Sequence, residues 1–357
     1  MIPIKYFKNI LELKEYNEYN DNFTNFFKIS IGSIFNNDDI FNNIYIFNKI
    51  DNLDCSYTQI TKIPKELVNL QYLCCSHTDI TEIPISFVNL RSLYCSNTKI
   101  TKIPKELINI ISLDCLETQF TEIPKELINL QYLKCVDTQI TEIPKELINL
   151  RTLNCIRTYI NIIPKELINL RYLYCYSCTM ITEIPKELVN ITELNCSGTQ
   201  VREIPKELVN ITELNCSGTQ VKEIPKELIN IINLICTNTQ VTEIPKELVN
   251  LEELHCSCSR ITEIPKEIIN LQKLYCYNTQ IREIPKECIK ITILHCTGTQ
   301  VKEIPVVFDR LKYLFCDFIT LSDHIDNVIR YKEEIKDIIK SSGDLNDDVS
   351  NLLCSYI

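Results

Sequence analysis

The chain has 357 residues, a net charge of −10, 45% hydrophobic and 24% charged residues, a balance that suits a folded soluble protein. An acidic surface does not neutralise phosphates, which argues against nucleic acid or an anionic membrane as a partner. No apolar run approaches the ~18 residues of a bilayer span, and 19 cysteines behind an N-terminus without a signal-peptide pattern predict free thiols in a reducing, intracellular compartment.

Residues 1–49 hold two apolar clusters, around Phe23–Ile34 and Ile40–Phe47, and are expected to cap the first repeat. From residue 50 the chain repeats. Prolines stand at 64, 84, 104, 124, 144 and 164, then every 20 residues from 185 to 305. Cysteines keep the same beat from Cys55 to Cys175 and from Cys196 to Cys316. The single 21-residue step lies between Cys175 and Pro185, in YCYSCTMITEIP. Units 185–204 and 205–224 differ only at Arg202 versus Lys222, as a recent duplication would.

One unit reads L-x-x-L-x-C-x-x-T-x-I-T-E-I-P-K-E-L-I-N. The L-x-C alternation predicts a short strand with Leu and Cys on one face. Pro144-Lys145-Glu146-Leu147 predicts a single helical turn with proline first. Asn149 is expected to end that turn in the left-handed conformation. Twenty residues leave no room for a longer helix.

L-x-x-L-x-C-x-x-T-x-I resembles the conserved segment of leucine-rich repeats, over about residues 50–316. The wording CSxTxITEIPKELxNL is similar to leucine-rich repeat proteins of mimivirus-type giant DNA viruses. The resemblance implies an α/β-class solenoid: short parallel strands on a concave face, tight turns and short 3₁₀ segments on the convex side, and a protein-binding role. The predicted organisation is a capping segment over 1–49, a solenoid of about 13–14 units over 50–318, and a helical C-terminal cap over 319–357. In that cap Ile325, Val328, Ile329, Ile335, Ile338 and Ile339 fall near helical spacing and Gly343 would end the helix. Two departures from the family pattern stand out. Cysteine replaces the third leucine, and threonine, from Thr58 to Thr299, replaces asparagine, with Ser259 as a hydroxyl substitute. A hydroxyl makes fewer hydrogen bonds than an amide, so a looser ladder is expected there.

Stacked rungs turn each repeat position into a column at ~4.8 Å spacing. The beat cysteines then form an inward column of small buried hydrophobes. Lysine and glutamate after proline, with a second glutamate before it, form charged columns on a solvated convex face. Variation concentrates beside the inward Leu and Cys of each strand. One candidate partner-binding patch there holds Leu116, Tyr132, Val136, Ile156, Tyr172, Tyr174 and Tyr176, and another His255, Tyr275, Tyr277 and His295. Exposed aromatics on a rigid sheet suit interface anchors.

ELHCSCSRITEIP, residues 253–265, has the look of a metal site, but the period separates its parts. Cys256 belongs to the core column. His255 lies two rungs from His295. Cys258 occupies a turn position filled by Gly218, Asn238, Asn278 and Gly298 elsewhere, which predicts an exposed thiol. With five glycines there is neither a phosphate-binding loop nor a nucleophile elbow. The expectation is a monomeric, non-enzymatic scaffold for a protein partner, with no cofactor and no metal. The alternative is an adaptor or thiol-dependent ligase of a ubiquitin pathway.

Overall fold

The structure, a computed structural model, describes residues 5–7, 28–31, 50–305 and 307–317. The chain divides into two compact units, Met1–Ile211 and Thr212–Ile357. In the first, β1 (Lys5–Phe7), β2 (Lys28–Ile31) and β3 (Asn52–Asp54) pair in parallel. One strand per repeat follows, from β4 (Tyr72–Cys74) to β9 (Tyr172–Tyr174) and β10 (Glu193–Asn195). The second unit holds β11 (Glu213–Asn215) to β16 (Tyr313–Phe315), again all parallel. The described residues contain no helix.

Every strand from β3 onward has three residues with a buried leucine at the centre, and these leucines are in register from rung to rung, as Leu53 is with Leu73. The beat cysteine extends the ladder: Cys55 N–H donates to the Cys74 carbonyl at 2.8 Å. Its side chain points inward, and the cysteine column is fully buried from Cys55 to Cys276. Leu67, Leu70, Ile80 and their equivalents close the core, with Phe87, Phe120 and Phe308 taking the place of aliphatics in single rungs. Each fully buried aliphatic contributes about 1.5–3 kcal/mol.

Beyond the cysteine, each rung turns through one left-handed residue, whatever its type: Glu117 (φ 55°), Arg157 (φ 52°), Gly198 (φ 65°), Asn238 (φ 54°). The threonine that comes next, buried from Thr58 to Thr279 and half-buried at Thr299, secures the turn. From Thr58 to Thr299 each threonine hydroxyl donates to the carbonyl of its own rung's cysteine at 2.6–2.8 Å. Ser259 does the same for Cys256. The predicted loose ladder between rungs is therefore a tight contact within each rung.

The proline segment also differs from expectation. Leu147 N–H donates to the Pro144 carbonyl at 3.2 Å, and Leu150 N–H to the Leu147 carbonyl at 3.0 Å. These are two successive β-turns sharing Leu147, not a helical turn. Proline supplies an acceptor at the first turn position, because the chain must bring Leu147 and Leu150 back to the core three residues apart. Asn149 is not left-handed. Its amide donates to the Ile128 carbonyl of the preceding rung at 2.8 Å, and Asn109, Asn129, Asn169, Asn190 and Asn270 make the equivalent bond at 2.8–3.0 Å. The rung-to-rung amide ladder exists, at the corner opposite the threonines.

The extra residue of the 21-residue step is absorbed locally. Cys178 takes the threonine slot, and an added turn, with Ile181 N–H donating to the Cys178 carbonyl at 3.1 Å, takes up the surplus. β10 still pairs with β9 in register, Glu193 opposite Tyr172. In the segment expected to cap the first rung, the backbones of Lys5–Phe7 and Lys28–Ile31 continue the sheet. The rest of that segment and the helix expected over 319–357 lie outside the described residues.

Candidate functional site

The outward residues of each three-residue strand are mostly half-buried, because neighbouring rungs stand ~4.8 Å away. The face is thus a tiled surface on which adjacent side chains touch. In the first patch Tyr132 is 46% exposed, and Leu116, Tyr172, Tyr174 and Tyr176 are half-buried. Val136 and Ile156, expected to face solvent, are only 6% and 7% exposed. The residue after the cysteine enters the left-handed turn, and there the β-branched Val136 and Ile156 fold back against the core while Leu116 at the same position stays half-buried. These two side chains therefore support the patch from beneath.

Polar contacts fix the tyrosines. The Tyr174 hydroxyl donates to the Glu193 carboxylate. Arg157 Nε donates to Asp137 Oδ1 at 2.6 Å, with a second bond from Nη2 to Oδ2 and a further contact to the Tyr176 hydroxyl. This guanidinium holds the Asp137 carboxyl below the usual carboxylate range. Lys134 Nζ lies 3.2 Å from Asp114 Oδ2. Arg151 and Arg171 flank the patch on adjacent rungs, both exposed. Their signal in the sequence is cation recurrence just ahead of consecutive strands.

The second patch is an aromatic run. His255 stacks on Tyr275 with ring centroids 4.2 Å apart and 16° between planes. Tyr277 meets His295 at 4.8 Å, and His295 meets Phe315 at 4.9 Å. Phe315 was missed as a member, although it holds the same position before Cys316 that His295 holds before Cys296. His255 Nε2 lies 2.6 Å from Glu253 Oε1, and Lys273 Nζ donates to Glu253 Oε2 at 2.8 Å. Burial pushes the Glu253 carboxyl up, but these two hydrogen bonds outweigh it and hold the carboxyl below its ordinary value. Burial lowers the His295 pKa, against the opposing pull of Asp317.

The rest of ELHCSCSRITEIP separates as its period implies. Cys256 is fully buried, and Cys258 is exposed at φ 53°. The Ser257 hydroxyl is buried with no hydrogen-bond partner among the described residues. Among those residues no group of three His, Cys, Asp or Glu side chains gathers to hold a metal ion. Burial pushes the column thiols up, to about 12 at Cys196 and Cys236, which leaves almost no thiolate near neutrality. Cys178 differs. Its thiol donates to the Cys155 carbonyl at 2.9 Å. Its side chain is fully buried, which denies reagents access to the thiol.

A family model described as leucine-rich repeats (2 copies) matches residues 68–125. A leucine-rich repeat protein of Leptospira interrogans is 21% identical with a TM-score of 0.69, over 88% of this chain and 100% of that one. The functional domain of InlJ from Listeria monocytogenes, which includes a cysteine ladder, is 23% identical with a TM-score of 0.67, over 76% of this chain and 69% of that one. The ectodomain of the Arabidopsis receptor kinase HAESA, in complex with a peptide hormone ligand, is 20% identical with a TM-score of 0.64, over 83% of this chain and 58% of that one. No curated protein matches the chain, so the likeness to giant-virus proteins rests on the repeat wording alone. Rung length, strand register and these matches agree that the fold is a leucine-rich repeat solenoid.

Proposed function

We propose that the chain is a non-enzymatic interaction scaffold that takes a protein partner on its strand face. One observation carries the reading: the core and back positions repeat nearly unchanged, while the strand face changes from rung to rung and gathers its aromatics into two patches. A surface selected to recognise one partner varies in this way, and half-buried tyrosines held by polar contacts are preorganised anchors. The HAESA ectodomain, which shares the fold, holds a peptide hormone. Cysteine usage supports work in a reducing, intracellular setting, and the repeat wording supports kinship with giant-virus proteins. Immobilised chain would capture partners from a lysate, and the combined Tyr172→Asp, Tyr174→Asp and Tyr176→Asp variant, folded as judged by circular dichroism, would lose them. Full retention of every partner by that variant overturns the strand-face assignment.

A further inference from the structure

Within the first unit, one rung of the strand face differs from its two neighbours. β7 (Tyr132–Lys134) and β9 (Tyr172–Tyr174) present long side chains, while β8 (Thr152–Asn154) between them presents a threonine and an asparagine. The register sets Thr152 beside both Tyr132 and Tyr172, and Asn154 beside both Lys134 and Tyr174. At ~4.8 Å per rung, the backbones that carry the long side chains stand roughly 10 Å apart across the short rung. The face therefore carries a notch, floored by Thr152 and Asn154 and walled by the rungs on either side.

The polar groups at the notch favour a ligand that accepts hydrogen bonds. The Asn154 side-chain oxygen accepts the Ile156 N–H at 3.5 Å, which leaves the amide N–H groups as what Asn154 offers a ligand. Thr152 adds a hydroxyl, and the Tyr132 and Tyr172 hydroxyls form no hydrogen bond among the described residues. Arg151 leads into β8 and Arg171 into β9, both exposed. Neighbouring charges are already matched: Lys134 with Asp114, Arg157 with Asp137, and the Glu193 carboxylate with the Tyr174 hydroxyl. Arg151 and Arg171 have no ion-pair partner among the described residues. Two uncompensated guanidiniums one rung apart thus stand over a donor-bearing floor, on a chain whose net charge is −10.

We propose that the protein partner sets a carboxylate here: an aspartate or glutamate side chain of an acidic segment, held by Arg151 and Arg171 with its oxygens turned to the Thr152 and Asn154 donors. The inference rests on the strand-face reading and names the chemistry of what that face takes. An ionised carboxylate accepts at about four lone-pair sites and donates nothing, and guanidinium is the cation whose planar fork fits it. A lysine or arginine from the partner would meet two like charges. An apolar tip would bury the floor donors without acceptors. The Tyr132 and Tyr172 rings on either side offer apolar surface to the stem of the inserted side chain.

The test is selection of random short peptides, displayed as internal segments on phage, against the immobilised full chain near physiological ionic strength, where exposed charges beyond ~8 Å are screened. Wild type would enrich segments rich in Asp and Glu, although its overall charge repels them. The most enriched peptide, made synthetically, would bind an Arg151→Gln, Arg171→Gln variant at least ~10-fold more weakly. Thr152→Tyr would weaken it by a similar factor without changing any charge, because it fills the notch; both adjoining rungs already carry tyrosine at this strand position, so the fold accepts it. Circular dichroism checks that both variants are folded. Absence of acidic enrichment, equal binding by the double arginine variant, or equal binding by Thr152→Tyr overturns the proposal. Non-acidic peptides that bind wild type and are lost by the Tyr172→Asp, Tyr174→Asp and Tyr176→Asp variant overturn this inference and leave the strand-face reading intact. Lysate partners retained by that tyrosine variant overturn the strand-face reading itself.

Discussion

At one corner of each rung a buried hydroxyl bonds inside its own turn, Thr138 to Cys135 at 2.7 Å; at the other an exposed amide bonds to the rung before, Asn149 to Ile128 at 2.8 Å. Both satisfy a turn carbonyl, but they act on different quantities. In a repeat array stability is a sum of intrinsic rung terms and nearest-neighbour terms. The threonine corner belongs to the first and the asparagine corner to the second. A chain that replaces asparagine with threonine at one corner has thus kept a side-chain link between rungs, at the other.

Substitutions at the two corners should separate these terms. Thr138→Val keeps the shape but leaves the buried Cys135 carbonyl without its donor, and should cost about 2 kcal/mol. Thr138→Ser should restore most of that. Urea unfolding reads both, and an unchanged midpoint in Thr138→Val would show that the hydroxyl does not secure the rung. Asn149→Ala removes an exposed bond and should cost about 1 kcal/mol. Because the lost bond joins rungs, hydrogen exchange should rise on both sides of it; protection altered only within 141–160 would refute the coupling role. Cys258→Gly relieves a left-handed cysteine, offset by glycine's greater freedom when unfolded, for a net gain of about 0.5 kcal/mol. A loss of stability there would mean that the Cys258 side chain contributes contacts outweighing the strain.

The smallest effect concerns pH. Burial holds the His295 pKa in the folded chain below its unfolded value. The unfolded chain then binds the proton more readily, so the neutral ring favours folding fully above the unfolded pKa, about 6.5. That contribution falls as pH drops through and below this value. His295→Phe should flatten the stability profile between roughly pH 7 and 5, and an identical slope in the variant would exclude His295 as its source.

Much of this was legible from the period. A 20-residue beat of leucine, cysteine and proline fixes the strands, their register and the inward column, because only a stacked rung puts one residue type at one place every time. The corners were less legible. Proline followed by lysine and glutamate opens a helical turn or a β-turn equally well, and what decides is the need for Leu147 and Leu150 both to reach the core. The same blind spot hid Val136 and Ile156: alternation places them outward, while the left-handed residue next in the chain turns them in. The exposed aliphatics of the back turns escaped notice because valine and isoleucine beside leucine read as core, and only solvent exposure separates Ile148 from Leu147. Phe315 was visible in the sequence but became part of a site only once His295 was seen against it.

The extra residue between Cys175 and Pro185 bears on how such a chain lengthens. The corner after the strand took up an insertion by adding a turn, with Cys178 in the threonine slot, and the next strand kept its register. Copying errors that miss the repeat boundary by one codon need not ruin the array if the surplus falls there. The same corner is where a grafted loop, tag or epitope would disturb its neighbours least, and where a longer natural variant of this chain would carry its insertions.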